Sequence, residues 1–276
     1  AAVRASVMNS LFAKGNNAFD RGDIKTAISY YSSLITLDPT LINALRNRGI
    51  SYAKISDYSK ALDDLDQAIA LAGCSLIDPS PDLMQCLLKT APYWKVNSMI
   101  PNPPPDLISD RVDTAKKKVQ AELFVNRALV LYRSGNPAAS ISDLDRALSA
   151  GADPSTVYAN RAVALVKLNK LDEALEDYNK AIAAAPVRPD TYYQRGLLLE
   201  NTEPDKARAD FTMALSLDRR FAAAYAARAR IETRKGELQK AIDDYSRAIQ
   251  IETENTEYLN GRGALLLKTG NSNGAE

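Results

Sequence analysis

The fold is decided by residues 160–200, NRAVALVKLNKLDEALEDYNKAIAAAPVRPDTYYQRGLLLE. A basic residue followed by a small one occurs twice in this stretch, as Arg161-Ala162 and Arg195-Gly196, 34 residues apart. Looking outward from there, the same pair recurs as Lys14-Gly15, Arg48-Gly49, Arg127-Ala128, Arg228-Ala229 and Arg262-Gly263. The steps are 34 residues, with one of 33 before Ala229 and a single long one of 79 between Gly49 and Ala128. A fixed period of this length marks an array of identical supersecondary units.

A second small residue keeps register eleven or twelve positions later, at Ala27, Ala61, Ser140, Ala174, Ala207, Ala241 and Ala275. Four residues beyond it stands a large side chain (Tyr31, Leu65, Leu144, Tyr178, Phe211 or Tyr245), and three further on Leu34 or an alanine. Steps of four and three lie on one helical face, so this is a helix with an inward stripe. The two small positions are predicted where paired helices cross, because a larger side chain there would push the axes beyond the roughly 8–10 Å of close packing. Between them lie turn signals such as Arg21-Gly22-Asp23, Gly135-Asn136-Pro137, Thr202-Glu203-Pro204 and Lys235-Gly236-Glu237. Glycine or asparagine stops one helix there, and a capping residue or proline starts the next.

Each period therefore reads as helix, turn, helix, and the units closely resemble tetratricopeptide repeats. Leu37-Asp38-Pro39, Ala185-Pro186 and Lys240-Ala241-Ile242-Asp243-Asp244-Tyr245 are similar to that family's repeat ends and second-helix openings. Departures are Gly73 where proline is common, the short fifth unit and the missing early tryptophan. The resemblance implies an all-α fold, a right-handed solenoid of about seven units with the last incomplete. Units one and two span residues 8–73, a Pro-rich insertion spans 74–108, and units three to seven span 109–276 as one continuous solenoid. The first helix of unit three is expected to be lengthened at its start, from Ser109 to Arg133.

The insertion carries Pro79, Pro81, Pro92, Pro101, Pro103, Pro104 and Pro105. Ser80-Pro81 opens a candidate short helix ending before Pro92, and Asn102 to Pro105 reads as extended or turning. Tyr93, Trp94 and Met99 are its candidate docking residues, since long ordered loops tend to be functional.

Composition excludes several functions. With 35 basic and 34 acidic residues the net charge is +1, without the footprint of a nucleic-acid binder. Histidine is absent, which removes the commonest general base and metal ligand. Cys74 and Cys86 alone match no zinc spacing and suggest a reducing compartment. No catalytic residue, metal site, cofactor or small-molecule substrate is expected, and no apolar run approaches a membrane span.

Stacked helical pairs share a core and leave a concave groove. The family resemblance implies that first-helix positions two, five, six, nine, twelve and thirteen face it. Those positions give Asn16, Asn47, Ile50, Val125, Asn126, Leu129, Tyr132, Asn160, Val163, Val166, Tyr193, Gln194 and Leu197: an apolar middle stretch, with amides able to pair with a peptide backbone. The expected function is a protein-interaction scaffold or assembly factor in a larger organellar complex, holding subunits of that complex as partners.

An adaptor for chaperone C-terminal tails is an alternative. The carboxylate clamp of such family members is matched by Asn16 and Asn47, but Phe12, Glu122 and Asn126 replace its cations. An RNA-binding helical repeat is a further alternative, disfavoured by the 34-residue period. Residues 1–19 contain Arg4 and Lys14 but no acid, similar to a transit-peptide remnant. That favours a chloroplast over a mitochondrion, with the cytosol a third location. The chain stops inside the second helix of unit seven, so either a continuation or a neighbour is expected to cover that unit's apolar face.

Overall fold

The computed structural model describes residues 2–73, 105–186 and 188–270, and among these there are thirteen α-helices and no strand. They are α1 (Ala2–Asp20), α2 (Ile24–Leu37), α3 (Ile42–Lys54), α4 (Tyr58–Gly73), α5 (Pro105–Arg133), α6 (Pro137–Ser149) and α7 (Pro154–Lys167), then α8 (Leu171–Ala184), α9 (Pro189–Leu199), α10 (Pro204–Leu217), α11 (Ala222–Arg234), α12 (Leu238–Ile251) and α13 (Thr256–Lys268). Two compact units are formed, residues 1–168 and 169–276. Repeat four thus contributes α7 to the first and α8 to the second.

The small residues lie at the helix crossings of the pairs that fall within one unit. Ala27, Ala61, Ala174, Ala207 and Ala241 are fully buried, as are Ala162 and Ala229. A Cβ on Gly15 would stand 2.7 Å from the Tyr31 ring, and one on Gly196 would stand 2.6 Å from Phe211. Both glycines face the aromatic of their own second helix. Where that residue is Leu144, the opposite helix can carry Ala128, and the two share one core cluster. In repeat six the Tyr245 ring leans instead against Gly261 of the next first helix, 2.6 Å from where a Cβ would sit, and position 229 keeps its methyl.

Left-handed residues close the turns: Gly22 (φ 79°), Ser56 (φ 62°), Gly135 (φ 89°), Asn169 (φ 60°) and Gly236 (φ 77°). Repeat five has no such residue between α9 and α10, so what its 33-residue period lacks is the left-handed turn position. Proline occupies the first turn of α6, α7, α9 and α10, where its absent N–H has no helical partner to lose.

A repeated ion pair ties the helices together. In four repeats the arginine before the small residue grips the carboxylate 15 or 16 residues ahead, in Arg48–Asp64, Arg127–Asp143, Arg195–Asp210 and Arg228–Asp244, with N···O distances of 2.6–2.8 Å. These aspartates are buried, and a buried carboxylate requires such a partner. The remaining Nη1 reaches back one repeat, to Ser32, Asp66, Asn179 and Thr212 respectively, and Arg161 does the same to Asp145. Every guanidinium also lies 5.3–5.9 Å from the ring three residues earlier (for Arg48, four later), another modest attraction.

Repeats two and three stack directly despite the long step between them. Leu123 and Val130 of α5 join Leu45, Leu65 and Ala68 in one core cluster, and Arg127 pairs with Asp66 of α4. The long first helix of repeat three begins at Pro105 rather than 109. The expectation that Pro105 is extended or turning is thereby corrected: it takes a first-turn position, for the reason given for the other prolines. The first helix of repeat one likewise begins at Ala2, not residue 8, and Met8, Leu11 and Phe12 pack against the core of that repeat. The candidate helix after Ser80, the docking residues Tyr93, Trp94 and Met99, both cysteines and Ala275 lie outside the described residues.

Candidate groove

The first helices alternate buried and half-exposed positions. On α5, Leu123, Ala128 and Val130 are buried, whereas Val125, Asn126 and Tyr132 are half-buried and Leu129 is 37% exposed. On α7, Val157, Ala162 and Leu165 are buried, with Asn160 and Val163 half-buried and Val166 37% exposed. Asn16, Asn47 and Ile50 in the first unit and Tyr193, Gln194 and Leu197 in the second are half-buried too. The predicted groove residues thus all retain accessible surface. Several also anchor the fold: Val125 packs on the Leu144 cluster, and Tyr193 and Leu197 on that of Phe211.

In repeats one and two the predicted residues converge on a cavity of about 270 Å³ lined by Asn16, Phe19, Asp20, Tyr31, Asn47 and Ile50. Asn16 Oδ1 accepts from the Tyr31 hydroxyl at 2.7 Å and from Asn47 Nδ2 at 3.2 Å. Burial pushes the Tyr31 phenol above its ordinary range, so it remains a donor. The Asn47 amide is partly used inside the protein, since its Oδ1 also accepts from Arg46 Nε at 3.4 Å. Phe12 sets its edge against the Tyr31 ring at 6.1 Å.

A second cavity of about 420 Å³ lies along α5 and the start of α7, with Val125, Asn126, Glu122 and Thr156 among its walls. Among the described residues, the amides of Asn126, Asn160 and Gln194 have no side-chain hydrogen bond and remain available. Arg46 and Glu122 close the rim between repeats two and three with a 2.7 Å ion pair.

The second unit carries charge at further groove positions, beyond the apolar middle stretch. Glu200 is gripped by Arg230 through Nε at 3.1 Å and Nη2 at 2.9 Å, and by Arg234 at 3.2 Å. Arg234 also bonds the Glu200 carbonyl and Asn201, while Arg230 extends to Glu257 at 3.5 Å. Glu200, Arg230, Arg234 and Glu257 hold groove positions twelve, nine, thirteen and two of repeats five to seven. Counting from the small residues would have found them. Choosing only apolar and amide side chains passes over them, as it does Arg46.

Among the described residues, no three cysteine, aspartate or glutamate side chains are grouped to hold a metal ion, and no helix is long and apolar enough to cross a membrane.

Family models described as tetratricopeptide repeats match residues 125–189 and 229–270. This is a tetratricopeptide repeat protein. The tetratricopeptide fold extends over the described residues. A solved structure of Pseudomonas aeruginosa pilF superposes with a TM-score of 0.66 over 95% of this chain and 99% of that one, at 14% identity. PilW, titled a widely conserved type IV pilus biogenesis factor, gives 0.66 over 91% and 96% at 17% identity. Identities this low establish the all-α repeat solenoid and nothing more. In sequence, the chain is 22% identical over 231 residues to the Hsp70-Hsp90 organizing protein of Triticum aestivum, covering 74% of this chain and 40% of that protein. It is 23% identical over 267 residues to U-box domain-containing protein 70 of Oryza sativa subsp. japonica, covering 93% and 31%. The chain spans less than half the length of either relative.

Proposed function

We propose that this tetratricopeptide repeat protein is a scaffold or assembly factor that holds a segment of a partner protein in its groove. The observation that carries the reading is the stripe on α5 and α7, where exposed Leu129 and Val166 alternate with the uncommitted amides of Asn126 and Asn160. An apolar strip gains from burial, and an amide can donate to or accept from a peptide backbone, so together they favour an ordered protein segment. The near-neutral charge supports a protein rather than RNA as the partner, and filter binding of RNA across a salt series is expected to give no retention. Replacing Val163 and Leu197 with aspartate is expected to abolish capture of the partner, with the helical circular dichroism spectrum unchanged; undiminished capture would refute the groove assignment.

A larger organellar complex is the proposed setting. A fluorescent fusion of the full-length protein found in the cytosol alone would refute it. An adaptor for chaperone tails is the second reading, favoured by the likeness to the wheat organizing protein. Asn16 and Asn47 do meet in one cavity, yet Phe12 and Glu122 stand at clamp positions where the tail carboxylates need cations. A labelled peptide with a C-terminal aspartate is therefore expected not to bind, and saturable binding would promote this reading to first place.

A further inference from the structure

Three residues after the small first-helix residue, the repeats carry Ala18, Tyr52, Leu131, Leu165, Leu199 and Leu266, and in repeat six Glu232. A carboxyl group thus occupies a slot that is filled elsewhere by apolar or aromatic side chains. Glu232 is 6% exposed, and its Oε2 has no hydrogen-bond partner. The side chain borders a cavity of about 560 Å³ between α10 and α11, whose other walls include Asp205, Arg208, Thr212, Ser216 and Arg228.

The surrounding cations are committed to other groups. Arg228, one turn back on α11, gives Nε and Nη2 to Asp244 of α12 and Nη1 to Thr212 of α10. On α12, Lys240 pairs with Glu237 at 2.6 Å. From α10, Arg208 reaches Glu237 at 3.4 Å and Asp205 at 3.7 Å. Asp244 and Glu237 add negative charge near Glu232. Burial first, and the Asp244 carboxylate second, lift the Glu232 carboxyl to about 7 against the pull of Arg228. An ionised carboxylate in such a site is costly without a partner, whereas the neutral acid is tolerated.

We propose that Glu232 makes the α11–α12 hairpin a proton-sensitive element of the second unit, closed while the carboxyl is neutral and loosened when it ionises. The carboxyl holds its proton more tightly in the folded hairpin than in the opened one, where it titrates as an ordinary glutamate. The opened form therefore gains population as pH rises through the interval between those two values, and the effect levels off above about 7. Below the ordinary glutamate range the two forms are equally protonated and the effect vanishes. Loosening reaches the groove because α11 also carries Arg230 and Arg234, which hold Glu200. Only this last consequence rests on the groove reading.

Hydrogen exchange on the full chain between pH 5 and 8, corrected for intrinsic exchange, tests the proposal whether or not a partner binds. Opening of α11 and α12 is expected to increase by up to about ten-fold per pH unit, approaching a plateau above pH 7. In Glu232→Gln the dependence disappears. In Glu232→Leu, which restores the residue of repeats three, four, five and seven, it disappears with greater protection throughout. Carboxyl ¹³C shifts are expected to place the Glu232 titration near neutrality. Titration in the ordinary glutamate range, or an equal pH slope in wild type and both variants, would overturn it.

Discussion

At the residue scale, stability rests on two devices, the small residue at each crossing and the arginine beside it. Arg127 is shared between buried Asp143 and exposed Asp66. Arg127→Ala takes the two-pronged partner from buried Asp143 and leaves it only the exposed Arg146 at 3.7 Å, and is expected to cost about 3 kcal/mol in urea denaturation. Asp66→Ala removes only a solvated partner and is expected to cost less than about 1 kcal/mol. Gly196→Ala forces a methyl to 2.6 Å from Phe211 and is expected to cost roughly 1–3 kcal/mol in the same measurement despite alanine's better helix propensity. The glycine and alanine markers were legible because their spacing repeats. The aspartates were not: Asp64 and Asp143 sit among other acids, Asp63, Asp66 and Asp145, and only the fold shows which of them turns inward to an arginine. Glu232 was hidden for the same reason, being one glutamate among many until its slot is compared across repeats.

At the element scale, the helices follow from periodicity and their ends from turn chemistry. Gly135 closes the α5–α6 turn at a φ of 89°, with open space around it, so the penalty for a side chain there is purely one of backbone. Gly135→Ala is expected to destabilise by about 1 kcal/mol, again read from urea denaturation. Ser56 and Asn169 fill the same place without glycine, which is why a search for glycine alone marks the turns incompletely. Boundaries were less legible than the elements themselves. Pro105 starts α5 because proline fits a first helical turn as readily as a loop, and the sequence offers no means to choose. The proposed groove residues on α1, α3, α5, α7 and α9 all keep accessible surface, and their positions are legible because the small residue fixes the rotation of each helix. What was missed there is charge, in Arg46, Glu200, Arg230 and Arg234, whose pairing depends on neighbouring repeats.

At the scale of the whole molecule, repeats within each compact unit bury their apolar stripes by stacking on one another, as α5 does on α4 across the long step. Stability is therefore shared between neighbours, and the face left over is the stripe of half-exposed first-helix side chains. That stripe is the proposed partner-holding surface. The most direct test places a photoactivatable benzophenone side chain at Leu129 or Val166 on the first helices, and at exposed Ser142 on α6 as the control. After illumination in an extract of the source tissue, one discrete partner adduct is predicted from positions 129 and 166, none from 142, and none when Val163→Asp is present. Adducts from 142 alone, or adducts from 129 and 166 that persist with Val163→Asp, would contradict it.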